Sequence, residues 1–393
     1  MVICNSNTIQ LQGTRKRPRE CDQVPSEPVT NASERDSEPS KRHRRPSMHD
    51  VARVAGVSQS SVSLVLNDPE NCGIPAATQE RIHDAIRQVG YRTNRLARAM
   101  RLDRTDTIGF VSDDIATTPF ANQMIKGAQD AAWEAGRLLL IVNTGAVDHP
   151  EHAELESAAI DQMLERQVDG IVLAAMFHRV LTPPPALKET RAVLLDARVA
   201  DESLPSVVPD EHGAAFAATD HLIGYGHRRV GFVTTDYPSA APPARLLGYR
   251  DALGAHSIAV DDDLVVVGVS STSGGRAAVG DLLDLDDPPT AVFCYNDQTA
   301  MGVYQAARDR GLRIPEDLSV VGFDDQQLIA AELVPPLTTM ALPHYAMGHW
   351  AVSYLLTDEL PDEPAQMVLP CPLIERGSVT EPPARPRGSA RLS

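Results

Sequence analysis

The residues whose types and spacing best suit a chemical task are Gln59, Ser60 and Ser63. They lie with Leu64 on the outer side of a short segment whose apolar residues Val62, Val65 and Leu66 fall on the other side. Amide and hydroxyl groups on one exposed helical face offer the paired donors and acceptors that base edges and phosphates take up. The segment sits in a basic window: residues 41–104 carry a net +6, although the whole chain carries −17. A small basic module on a large acidic body implies a polyanionic partner at one end only. Two basic clusters precede it, Arg15-Lys16-Arg17 and Lys41-Arg42-His43-Arg44-Arg45. The second is suited to lie along a phosphate backbone, the alternative for both being a solvated tail.

Covalent chemistry finds little support. His227-Arg228-Arg229 looks reactive, but it falls at a helix-to-strand junction, where cations complement a helix C-terminus. Asp261-Asp262-Asp263 reads as a solvated loop. There is no phosphate-binding P-loop, no nucleophile elbow and no zinc-protease motif. Cys4, Cys21, Cys72, Cys294 and Cys371 form no CxxC pair, and no His cluster completes a metal set, so reduced thiols, no metal and no cofactor are expected. Aromatics make up 4% of the residues, which argues against a stacking platform for single-stranded nucleic acid. No apolar run approaches the ~18 residues of a membrane helix, and the N-terminus lacks the layout of a secretory signal. A soluble, cytoplasmic protein is expected.

The elements that must position the polar face are three short helices over residues 47–91. Ser47 with Asp50 three residues on has the form of a capping box, opening a helix with Val51, Val54 and Ala55 on one face. Gly56 closes it, and Ser58 caps the next, with Val57 and Val62 as a hydrophobic staple. Helix, short turn with Gly, helix is the helix-turn-helix arrangement that places its second helix in the major groove; an ordinary helical hairpin has the same spacing. A third helix is expected over Ala76–Val89, closed by Gly90. The basic, amphipathic segment Asn94–Arg101 is too short to be a stable helix alone, and so suits a coupling element that folds when something orders it.

From about Thr107 to Leu373 short apolar runs alternate with longer amphipathic stretches. Strands are expected at IGFV (from Ile108), LLLIV (Leu138), GIVLAA (Gly170), AVLLD (Ala192), VGFV (Val230), LVVV (Leu264), AVFC (Ala291) and LSVVGF (Leu318). Between them run helices such as Phe120–Ala135 and His152–Arg166. This is the α/β class: two doubly wound parallel-sheet subdomains with a ligand at the carboxyl ends of the strands.

HDVARVAGVSQSSVSLVLN from His49 and TQERIHDAIRQVGYRTNRLARAM from Thr78 resemble the headpiece of the LacI/GalR family of bacterial repressors. Further blocks agree in the same order: HLIGYGHRRVGFV from His221, RLLGYRDAL from Arg245, PTAVFCYNDQTAMGVYQAARDRGLRIPEDLSVVGFDD from Pro289, and PPLTTMALP from Pro335. The resemblance covers roughly residues 47–380. It implies a homodimer on palindromic double-stranded operator DNA, with the effector domain related to periplasmic binding proteins. Base reading then falls to Gln59, Ser60 and Leu64, phosphate contact to Ser61, Ser63, Asn67 and Thr78, with His49 also at the DNA. Asn94, Ala97 and Met100 belong to a hinge helix in the minor groove. Leu64 departs from the Arg of many members; it cannot read guanine but can pack on a thymine methyl. Met100 stands in place of a Leu wedge and is apolar enough to intercalate. The loop DPENCG after Asn67 is about two residues longer than usual.

The same resemblance places Asp196, Arg245, Asn296 and Asp324 at effector-binding positions, with Phe120 available to stack on a sugar face. Carboxylates, an amide and a guanidinium supply donors and acceptors for vicinal hydroxyls. Structural alternatives stand beside these roles: a helix cap at Asp324-Asp325, a turn at Asn296, core packing for Phe120. Leu342 falls where a Gln is common, and Ser-Ser-Thr-Ser from Ser270 replaces an aromatic ring of some sugar-binding members. The expectation is a DNA-binding repressor, not an enzyme, controlled by a sugar-like effector. Its parts would be a disordered extension (1–46), headpiece (47–93), hinge (94–104), effector and dimerisation domain (105–378) and disordered tail (379–393). An exported solute-binding protein would share the fold but needs an export signal and no headpiece, and an enzyme would need a nucleophile–base set.

Overall fold

The computed structural model describes residues 46–67, 72–92, 104–118, 121–147, 149–359 and 361–384. The chain divides into two compact units, 1–93 and 94–393. The expected extension up to residue 45, the hinge residues 94–103 with Asn94, Ala97 and Met100, the loop residues 68–71, and Phe120 lie outside the described residues.

In the first unit the local signals set the helices α1 (Met48–Ala55), α2 (Gln59–Asn67) and α3 (Ala76–Val89). At the start of α1 the Ser47 amide donates to Asp50 Oδ2 at 2.9 Å, and the Asp50 amide returns a bond to Ser47 Oγ at 3.4 Å. Gly56 ends α1 and Gly90 ends α3, with φ of 67° and 66° that only glycine adopts without strain. Ser58 Oγ accepts from the Ser61 amide at 3.0 Å and so caps α2. Val51, Val62, Val65 and Ile82 are buried at the centre of the three-helix core, with Val57 against it. Val54, expected on the inner face of α1, is 40% exposed, and Ala52 is buried instead. At about 100° per residue, positions 51, 55 and 52 span one arc, and 54 falls well to its side.

The second unit is built on two six-stranded sheets. The first contains β1 (Thr107–Ser112), β2 (Leu138–Asn143), β3 (Gly170–Val180), β4 (Ala192–Arg198), β5 (Ser206–Pro209) and β11 (Gln366–Leu369), in the order β11-β5-β4-β3-β1-β2. The second contains β6 (Val230–Thr234), β7 (Val265–Val267), β8 (Ala291–Cys294), β9 (Ser319–Asp324), β10 (Thr338–Ala341) and β12 (Leu373–Ile374), in the order β12-β10-β9-β8-β6-β7. The pairings are parallel except that β12 runs antiparallel to β10. Near-continuous apolar runs suit such strands because helices cover both faces. Those helices are α4 (Asn122–Glu134), α5 (His152–Glu165), α6 (Pro185–Lys188), α7 (Glu211–Gly224), α8 (Ala241–Ala255), α9 (Thr272–Leu283), α10 (Asp297–Asp309) and α11 (His344–Leu355).

Ile108, Phe110 and Val172 pack under α4 and α11 on one face of the first sheet, and Ile171 and Leu194 under α5 on the other. Phe232 and Phe293 stack at 4.7 Å beneath α7 and α8 in the second. The α4–α11 contact is backbone to backbone: a Cβ at Gly127 would strike the Tyr345 carbonyl, and one at Gly348 the Met124 carbonyl. The chain passes between the sheets three times, from β5 to α7, from β10 to α11 and from β11 to β12. Packing continues past 378, since Val379 is buried and the Thr380 amide donates to Ser319 Oγ at 3.1 Å. Among the described residues no helix is long and apolar enough to cross a membrane.

Candidate effector cleft and DNA-reading helix

The carboxyl ends of the strands carry the polar residues, and a parallel sheet points all of those ends the same way. One cavity is lined from the first sheet by Phe177, His178 and Asp196 and from the second by Tyr295, Asn296 and Asp324. Glu211 opening α7, Arg245 on α8 and His344 opening α11 complete the wall. The expected residues Asp196, Arg245, Asn296 and Asp324 are therefore brought together. The cavity volume is about 30 Å³, room for a water or two, so a sugar-sized ligand requires the walls to part.

Arg245 is the electrostatic centre. Its Nε donates to Glu211 Oε2 at 2.6 Å, its Nη1 donates to the Tyr295 carbonyl, and its guanidinium lies 3.5 Å from the Phe323 ring centroid and 4.5 Å from that of Tyr295. Burial opposes its charge, and the Glu211 carboxylate more than compensates, raising its pKa. Asp196 and Asp324 both stand at strand ends with positive φ, 54° and 106°, a strained conformation that recurs at binding sites. Burial pushes the Asp196 carboxyl well up, and Glu211 and Asp113 add to the push. Asp324 is raised as well, again by burial, against Arg245 and a 2.9 Å bond from Gln326 Nε2. Behind Asp196, burial lifts the Asp113 carboxyl to about 6 despite Arg179 at 3.2 Å and the Met176 amide at 2.9 Å. Burial lowers His178, so its neutral imidazole faces the cavity.

Asn296 is engaged within the protein. Its Oδ1 caps α10 by accepting from the Thr299 amide, and its Nδ2 donates to Ser270 Oγ, both at 2.8 Å. Asp297 is committed too, accepting from the Gln326 amide and Thr339 Oγ1 at 2.6 Å each. Among the described residues, ten buried side-chain polar atoms lack a hydrogen-bond partner. Five of them, besides an Asp113 oxygen that Arg179 approaches at 3.2 Å, are on the strand ends of the two sheets or just beyond: on Ser112, His178, Asp196, Arg198 and Thr234. Unmade bonds of this kind are costly in a folded chain, and they are concentrated at this end of the sheets.

The residues set aside as structural are tied into the fold. His227 bonds Thr290 Oγ1 at 2.8 Å and the Thr380 carbonyl at 2.9 Å, and Arg228 donates to the Ile223 carbonyl near the end of α7. Asp261 is more engaged than a solvated loop residue, pairing with Arg229 at 3.0 Å.

On the headpiece, Gln59 and Ser60 are exposed on the first turn of α2, and Leu64 is 50% exposed one turn on. His49 is exposed on α1; Ser61, Ser63 and Thr78 are half-buried, and Ser61 Oγ lies 2.9 Å from Ser58 Oγ. Asn67 is the last residue of α2.

Residues 47–94 match the family model for bacterial regulatory proteins of the lacI family, and residues 219–379 the model for a periplasmic binding protein-like domain. The HTH-type transcriptional repressor CytR of Escherichia coli K12 is 34% identical over 349 residues, covering 86% of this chain and 97% of that protein. The chain belongs to the LacI family. It is thus a transcriptional regulator by family, and its relatives are named as repressors and regulators rather than enzymes. The solved transcriptional regulator CelR–cellobiose complex shares 30% identity, with a TM-score of 0.59 over 85% of this chain and all of that one. The Lac repressor dimer, solved bound to operator and the anti-inducer ONPF, has a TM-score of 0.69 over 86% of this chain and all of that one, at 24% identity, a likeness of fold.

Several cleft residues of this LacI-family chain escape a reading of its sequence. Glu211 is the clearest, since nothing local distinguishes it from a surface helix residue; the available signal was the short run Ser206–Pro209 ending just before it as a strand. His178 lies beyond the apolar core of its strand, and Tyr295 directly follows one.

Proposed function

We propose that this LacI-family regulator acts as a repressor, a homodimer on a palindromic operator in the cytoplasm, and that a sugar-type effector entering between its two sheets controls it. The observation that carries the effector reading is the cleft itself. Buried acids and unpartnered polar atoms converge where two parallel sheets present their carboxyl ends, and Arg245 is locked among them. Asp196, Arg245 and Asp324 are assigned to the ligand. Asn296 also lines the cavity, mainly by shaping it through its cap, and Phe120 is retained as a stacking candidate. The CelR–cellobiose complex, similar over most of the chain, supports a sugar as the ligand class.

For DNA, Gln59, Ser60 and Leu64 are assigned to base edges, with His49, Ser61, Ser63, Asn67 and Thr78 at the backbone. A Gln amide suits adenine N6/N7 and a Leu side chain a thymine methyl. Asn94, Ala97 and Met100 are assigned to the minor groove, within a hinge at 94–104 between a headpiece (47–93) and an effector domain (from 105). Ligand would change the angle between the two subdomains and thereby the spacing of paired hinges, so that operator and effector affinities shift by one reciprocal factor, typically ~5–150-fold.

Fluorescence anisotropy on a palindromic duplex from the gene's upstream region, against a scrambled duplex and across salt, tests this with a panel of sugars and nucleosides. Tight, sequence-dependent binding altered by one ligand is expected. Saturating ligand that leaves operator affinity unchanged refutes the coupling, and ligand binding without DNA binding returns the chain to a solute-binding role.

A further inference from the structure

Asp196 Oδ1, His178 Nδ1 and Arg198 Nε are buried and unpartnered, and all three come from the neighbouring strands β3 and β4. These strands pair Arg179 with Ala197 and Val180 with Arg198, after a register irregularity that begins at Ala174. Asp196 and His178 line the cavity, and the charge of Arg198 falls on His178. Glu211 and Asp324 share the cavity wall, and Asp113 acts on Asp196 from behind. Arg245, the one guanidinium among the described lining residues, is committed to Glu211 at 2.6 Å, and Arg179 is paired with Asp113 at 3.2 Å; Arg198 does not line the cavity.

We propose, resting on the effector reading above, that the cleft selects an uncharged, hydroxyl-rich ligand through Asp196 and His178 and excludes its phosphorylated counterpart. A hydroxyl both donates and accepts, so a polyol can satisfy a carboxyl oxygen and an imidazole nitrogen in turn. A phosphate near neutral pH carries a charge of about −1.5 to −2 and chiefly accepts. It would bring that charge into a buried cavity whose lining guanidinium, Arg245, is already held by Glu211. Burial, reinforced by Glu211 and Asp113, favours the neutral acid at Asp196, which then offers an O–H as well as an acceptor.

The test is calorimetry on the full chain with matched pairs: ribose and ribose 5-phosphate, glucose and glucose 6-phosphate, galactose and galactose 6-phosphate, cellobiose and its 6-phosphate. A neutral member should bind, with its phosphate on the order of 100-fold weaker. A phosphorylated member that binds as tightly as its neutral partner, or more tightly, overturns the selection by charge and leaves the effector reading intact. If none of the pairs binds, the sugar-type reading itself falls, and this proposal with it. Two variants address the residues. His178→Leu should keep or raise the melting temperature, because an unpartnered buried nitrogen is removed, while neutral-sugar affinity drops about tenfold or more. Asp196→Leu should likewise lower neutral-sugar affinity about tenfold or more. Unchanged affinity in either variant would overturn the assignment to these side chains.

Discussion

Replacing Arg245 with Met should destabilise the effector unit by about 3–5 kcal/mol, the usual cost of removing one partner of a buried ion pair. Arg245 and Glu211 are 4% and 5% exposed and 2.6 Å apart, so water cannot take over the role of either. The guanidinium also lies over the Phe323 ring at 3.5 Å, and a desolvated cation–π contact is worth up to ~2 kcal/mol, which argues for the upper part of the range. Against a typical total of ~5–15 kcal/mol, the loss is severe. The double variant Arg245→Met with Glu211→Leu should recover most of it, because two apolar side chains leave no stranded charge. In the single variant Glu211 stays buried in the fields of Asp196 and Asp324. Urea unfolding followed through Trp133 and Trp350, both in the 94–393 unit, supplies the measurement. A single-variant cost below about 1 kcal/mol, with no coupling in the cycle, would refute the pair as the anchor of the cleft.

Three further outcomes are expected. Because burial raises Asp113 from 3.8 to about 6, the folded state holds its proton longer than the unfolded one, and stability from this group falls as pH rises from about 4 to 6 and then levels off. Asp113→Asn should remove that slope and gain about 1–3 kcal/mol at pH 8, read from thermal melts across pH. Gly348→Ala drives a methyl into the Met124 carbonyl and should lower stability by about 1–3 kcal/mol, against little effect from alanine at the uncrowded Gly254. Gln59→Ala should weaken operator binding by about 1–3 kcal/mol while leaving non-specific binding and its salt slope in place, measured by anisotropy on both duplexes.

Much of the fold was legible because its signals are local. Capping by Ser47 and Ser58, the left-handed glycines 56 and 90, and the apolar runs of β1 to β4, β6, β8 and β9 each act within a few residues, so composition and period suffice to place them. The run at Leu264 became a three-residue strand only from Val265, because Asp261 caps a tight turn just before it. The strands β5, β10, β11 and β12 were harder, being two to four residues long and existing through partners far away in sequence, as when β11 pairs with β5. The inner face of α1 likewise depended on where α3 packs, which left Val54 outside and Ala52 inside.

The sequence by itself determined what each element is and which residue types it carries: a polar-faced second helix in a basic headpiece, acids at or near strand ends, and an arginine on a helix. Tertiary structure alone decided what those end residues do. Asn296 became a helix cap joined to Ser270, Arg245 was locked onto Glu211, and Asp196 was left with an unpartnered oxygen beside His178 and Arg198. The physical reason is that a cap or a strand period is set by neighbours along the chain. Burial, charge and hydrogen-bond satisfaction are set by groups far apart along the chain, such as Arg245 and Glu211, 34 residues apart, or Tyr345 and Asp130, 215 apart.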